Sequence, residues 1–128
     1  MSAMSDYLEL EILDHILGTG AYTMPTNVYV GLSTGSFGDD NSGTELSGNN
    51  YARKAATFSA ASSGTTSNSG TVEFDAATGS WGALSHFGIF DASTSGNLLI
   101  HGAFSAAKTI TTGDILRINA GDLDITAA

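Results

Sequence analysis

No cysteine occurs in the 128 residues, which excludes a disulfide framework, a thiolate metal site and a cysteine nucleophile. Charge is scarce as well. Asp, Glu, Lys and Arg make up only 13% of the chain, against about a quarter in ordinary soluble domains. Positive charge is the scarcest of all, with 4 basic residues against 13 acidic ones and a net charge of −9. Arg53 and Lys54 form the single basic pair, while Lys108 and Arg117 stand alone. Phosphate neutralisation needs clustered Lys and Arg, so nucleic acid is not expected as a partner. Apolar runs of roughly eighteen residues are missing too, and no membrane-spanning helix is expected. The first residues lack a basic stretch followed by an apolar one and carry acids at Asp6, Glu9 and Glu11. A cleaved secretory signal is therefore not expected, and the product is expected to remain in the cell that makes it until something else releases it. A single proline, Pro25, precedes the first clear strand, where its fixed φ does no harm.

What is present is hydroxyl, amide and glycine chemistry around short apolar runs. A surface of Ser, Thr and Asn is cheaper to desolvate than one of ions, and it suits extended contact with other protein surfaces. The length predicts one domain, residues 1–128, with enough apolar residues for a core.

The densest pattern runs from Trp81 to Thr126. Runs at 81–91, 97–104, 115–118 and 123–126 are rich in Phe, Ile and Leu, and Gly, Asp, Asn or Ser closes them. This pattern predicts strands joined by tight turns. Val28, Val30 and Leu32 alternate with Tyr29 and Gly31 as a further strand, and Tyr51–Phe58 and Thr71–Phe74 read as extended. Gly35–Asn50 and Ala60–Gly70 are polar and Gly/Ser-rich, and read as two long loops inside the domain.

One helix is predicted over about 6–17. Asp6 and Glu9 have capping-box spacing, Leu10, Leu13, Ile16 and Leu17 form an apolar stripe, and Gly18 supplies a left-handed stop. The stripe either plugs one end of the β core or docks a partner subunit. Eight or nine strands with turns about every ten residues predict a mainly β fold. The expected form is an antiparallel, jelly-roll-like β-sandwich with one short N-terminal α-helix.

The reactive inventory is empty. There is no nucleophile elbow, P-loop or dinucleotide fingerprint, and an enzyme is not expected. Asp39-Asp40-Asn41-Ser42-Gly43, with Glu45 nearby, has the oxygen ligands that Ca²⁺ prefers but not the EF-hand spacing, and reads as a solvated acidic turn. Asp122 and Asp124 share a strand face, which alternation with Leu123 and Ile125 explains. His15, His86 and His101 have no zinc-ligand spacing, although His86 and His101 flank one hairpin and could meet across it. No metal or other cofactor is expected. Arg53, beside Tyr51, suits either a buried ion pair, within or between subunits, or a surface position with its stem over the ring.

Several of these segments together resemble a family of small tailed-bacteriophage virion proteins, tail-fibre-like or minor structural ones. They are Tyr51-Ala52-Arg53, Gly79–Gly82, His86–Asp91, Gly96–Leu99, Thr112-Gly113-Asp114 and Ala120–Ile125, with Tyr7–Leu17 and Asn27–Leu32 in the first part of the chain. The resemblance implies a non-catalytic particle subunit in the virion. Its leading form is a cement (decoration) protein on the capsid exterior, a homotrimer clamping the major capsid protein, with the helix or the Ser/Gly loops at the capsid. Residues expected at interfaces are Tyr51, Arg53, Trp81, His86, Phe87, Phe90 and His101. The alternative it implies is a tail-fibre or baseplate-associated module that meets the host surface through its long loops.

Overall fold

A computed structural model describes residues 2–127; the terminal positions of the expected 1–128 domain, Met1 and Ala128, lie outside the described residues. The fold is mainly β, with antiparallel pairing throughout and one short helix. In chain order the elements are β1 (Ser2–Met4), α1 (Asp6–Ile16), β2 (Val28–Ser33), β3 (Lys54–Ala56), β4 (Thr65–Ser67), β5 (Val72–Glu73), β6 (Gly82–Phe90), β7 (Leu98–Ile110), β8 (Arg117–Ile118) and β9 (Asp124–Thr126).

Five strands form one sheet in the order β1-β7-β6-β2-β3, while β4 pairs with β9 and β5 with β8 as separate two-stranded ribbons. Cross-strand register sets Val30 beside Ile89 and Leu32 beside Phe87, so one face of the sheet is continuously apolar. That face packs on the ribbons. Val30, Leu32, Leu84, Phe87, Ile89 and Ile110 share one buried cluster with Val72, Phe74, Leu116, Ile118, Leu123 and Ile125. The layering is compatible with the expected sandwich, with its second layer divided between two ribbons.

On the other face, register places Gly31 opposite Gly88. This pair leaves room that other groups fill. A Cβ on Gly88 would lie 2.9 Å from both the Phe90 ring and Leu98, and one on Gly31 would lie 2.8 Å from Phe90. Phe37, Phe90 and Leu98 form a second small core there, with Phe37 and Phe90 edge to face at 5.6 Å.

Two expectations about elements change. The stretch 60–70 is not one loop: Thr65–Ser67 pairs with Asp124–Thr126. Its low-complexity composition hides a residue that ties the pieces together, because Asn68 is buried. The Asn68 side chain donates to the carbonyls of Gly70 and Asn119 and accepts from the Leu123 N–H. The helix cap also moves by one residue. Ser5, not Asp6, is the N-cap: its hydroxyl accepts from the Leu8 N–H and donates to the Leu98 carbonyl. A buried hydroxyl serving both helix and sheet fixes the entry angle, which the exposed Asp6 has no means to do. Gly18 adopts φ +79° as the expected stop.

Candidate functional site

The helix is built the opposite way from an ordinary surface helix. Only Leu8 is buried, reaching an apolar depression lined by Val28, Ile89, Leu99, Ile100 and Ile125. On the same side the His15 Nδ1 accepts the Tyr22 N–H at 3.1 Å, which folds the following segment back along α1. The apolar stripe faces away from these contacts. Leu10 is 64% exposed, Leu13 55%, Ile16 72% and Leu17 72%. An apolar stripe of this extent gains the fold no burial and stands out on the described surface.

The Arg53 neighbourhood resolves as an internal clamp. The Arg53 guanidinium donates to both Glu45 carboxylate oxygens, at 2.9 and 2.7 Å, and to the carbonyls of Ala92 and Ser95. It lies 3.5 Å above the centre of the Phe90 ring. The Tyr51 hydroxyl donates to Glu45 and accepts the Leu32 N–H. Burial, then the hydrogen bond to Glu45 and its charge, pushes the Tyr51 phenol far above its ordinary range. Thus a planar fork, a carboxylate and a ring join the long loop 35–50 to the 91–96 turn across the sheet.

The remaining residues expected at interfaces divide in two. Trp81, Phe87 and Phe90 are almost fully buried inside the chain, and Trp81 donates its indole N–H to the Asn49 carbonyl. Together with Tyr51 and Arg53 they hold the core and the clamp of this chain, so their side chains are not presented outward.

His86 and His101 are partly exposed. They sit on neighbouring strands, but register pairs His86 with Ala103 and His101 with Gly88, so they are not opposite each other. His86 Nδ1 hydrogen-bonds the Ser85 hydroxyl, and His101 Nε2 meets an Asp39 carboxylate oxygen at 2.7 Å.

The acidic loop diverges instead of converging. Asp39 turns to His101, Glu45 turns inward to Arg53, and Asp40 accepts the Ser42 N–H within its own turn. Hydrogen bonding from Ser42 holds the Asp40 carboxyl below its usual range. Among the described residues no three His, Asp or Glu side chains are placed to share a metal ion. Asp122 and Asp124 lie on the wall of an open cleft of about 510 Å³ between β7 and the chain leading to β9, facing Phe104, Lys108, Arg117 and Asn119. Both are exposed beside buried Leu123 and Ile125, although only Asp124 and Ile125 lie in β9.

The described residues thus form a pinned β scaffold with long polar loops and an outward apolar helix. Residues 3–126 match the family described as Podophage GP4 fiber I protein gp80, and the chain belongs to that family. It is therefore a bacteriophage virion structural protein of the fibre-like kind. No curated protein matches the chain.

Proposed function

We propose that this protein is a fibre component of the phage tail apparatus that acts by holding surfaces together, without catalysis. The match of residues 3–126 to a fibre protein family carries the reading. It favours the tail-fibre alternative over capsid cement. No observation specifically favours a homotrimer clamping the major capsid protein on the capsid exterior.

The geometry agrees with an adhesive role. Four ion pairs tie loops and strands to one another: Arg53 with Glu45, Lys54 with Asp75, His101 with Asp39 and Arg117 with Glu73. The clamp stiffens the 35–50 loop, so that its polar tip is presented without a large ordering cost on contact.

The test is placement on the particle. Purified protein is mixed separately with emptied capsids and with isolated tails and sedimented, and its copy number per virion is counted. Co-sedimentation with tails and a copy number of tens or fewer is expected. Pelleting with capsids alone, at hundreds of copies, returns the cement role.

A further inference from the structure

We infer that α1 is a self-association element through which two copies of this chain pair antiparallel along Leu10, Leu13, Ile16 and Leu17. The inference stands independently of where the protein sits on the virion.

The first support is spacing. Leu10, Leu13 and Leu17 are separated by three and then four residues, the a-d-a interval of a helix-pairing seam. In that frame Leu8 and His15 fall at the position opposite the seam, and both contact the rest of the chain, Leu8 in the core cleft and His15 at the Tyr22 N–H. The helix is held by its back, with the seam free.

The second support is area. From their exposed fractions, the four seam residues present on the order of 500 Å² per copy, or roughly 1,000 Å² across a pair, which meets the lower bound of a specific interface at about 1,000 Å². Such a patch is as large as the greatest apolar patch of most monomers, about 300–600 Å².

The third support is charge, and it sets the direction. In a parallel pair the residues flanking the seam bring Glu9 of one helix against Asp14 of the other, and the acidic first turns with Asp6 and Glu9 lie together. In an antiparallel pair Glu9 flanks Ile16 of the second copy and Asp14 flanks Tyr7. No acid then meets an acid across the seam. The antiparallel pair is also closed by a two-fold axis, so it stops at two copies.

The experiment measures the mass of the purified full chain by sedimentation equilibrium up to about 200 µM, a range that spans micromolar affinity. A monomer–dimer equilibrium is expected. Leu13→Gln and Leu13→Glu, both at an exposed position where the fold loses little, are expected to leave only monomer with an unchanged circular dichroism spectrum. Glu9→Lys is expected to leave the dimer's affinity within about twofold, because Glu9 faces Ile16; a parallel pair would tighten as Lys met Asp14. The absence of cysteine allows a single spin label at Asp6→Cys. The 11-residue helix places antiparallel labels more than about 15 Å apart along the axis, whereas a parallel pair brings them within about 10 Å. A monomer at every concentration, a trimer, a dimer that survives Leu13→Glu, or adjacent labels would each overturn the inference.

Discussion

Arg53→Ala tests the clamp that positions the long loop. The substitution removes two charge-assisted hydrogen bonds to Glu45, two to the carbonyls of Ala92 and Ser95, and the guanidinium over Phe90. Breaking a buried ion pair from one side costs about 3–5 kcal/mol, because the partner charge stays behind. The Arg53 side chain is 8% exposed but Glu45 is 24% exposed, so water reaches part of the orphaned carboxylate and the lower end applies. Loss of the cation–π contact adds about 0.5–1 kcal/mol. The expected cost is about 3.5–4 kcal/mol, a fall in Tm of roughly 14 °C for a domain of this size.

Arg53→Lys keeps the charge and loses the fork, and is expected to recover less than half of that loss. Arg53→Ala with Glu45→Leu removes both charges, and is expected to be milder than Arg53→Ala alone because no buried charge is left unpaired. Urea unfolding followed by tryptophan fluorescence reads all four proteins, since Trp81 stacks edge to face on Tyr51 at 5.7 Å. An Arg53→Ala cost below about 1 kcal/mol, the value of an exposed pair, would refute the view that this cluster holds the loop to the sheet.

Gly88→Ala places a methyl group 2.9 Å from Phe90 and Leu98 and is expected to cost about 1–3 kcal/mol by overpacking, read as a lowered urea midpoint. Asn68→Ala orphans the Leu123 N–H and the Gly70 and Asn119 carbonyls; about 2–3 kcal/mol is expected, with early hydrogen exchange at 119–126 showing that the C-terminal ribbon is what loosens. Tyr51 gives a pH dependence whose sign is fixed. Its folded pKa lies above the ordinary 10.0, so the folded state holds the proton more tightly, and stability is full below about pH 10 and falls as pH rises beyond it. Tyr51→Phe is less stable at neutral pH and has a shallower alkaline decline; equal slopes for the two proteins in pH-dependent urea melts would rule this out.

Strand positions with period two were legible because each has one wet and one dry side: Val30 and Leu32 turned inward, as did Ile125 beside the outward Asp124, whereas Asp122 and Leu123 precede β9. The pieces that escaped are those whose burial rests on hydrogen bonds instead of apolar area. Nothing in the run 60–70 distinguishes Asn68 from its polar neighbours until Gly70, Asn119 and Leu123 surround it. Ser5 was passed over for the more familiar Asp-x-x-Glu cap, because its second partner, the Leu98 carbonyl, is remote in sequence. Pairing partners of β4 and β9 are likewise separated by about sixty residues, a distance over which local pattern carries no register.

The helix shows a different limit. Periodicity identified Leu10, Leu13, Ile16 and Leu17 as one face, and its end at Gly18, but an amphipathic pattern is symmetric with respect to which face meets the chain's own core. The sign was set elsewhere, by Ser5 locking the helix entry to β7 and by Tyr22 doubling back onto His15. Those two contacts, with Leu8 as the single buried residue of the helix, hold the Leu8 and His15 side towards the body of the protein. A stripe that folding alone would have turned inward is thereby held outward. Keeping four large apolar side chains in water is unfavourable for the isolated chain by roughly 1.5–3 kcal/mol for each one that burial would cover, so the pattern is maintained by something other than the monomer's stability. Burial of the stripe in an interface, as in the pairing inferred for α1, is a condition under which that exposure becomes favourable.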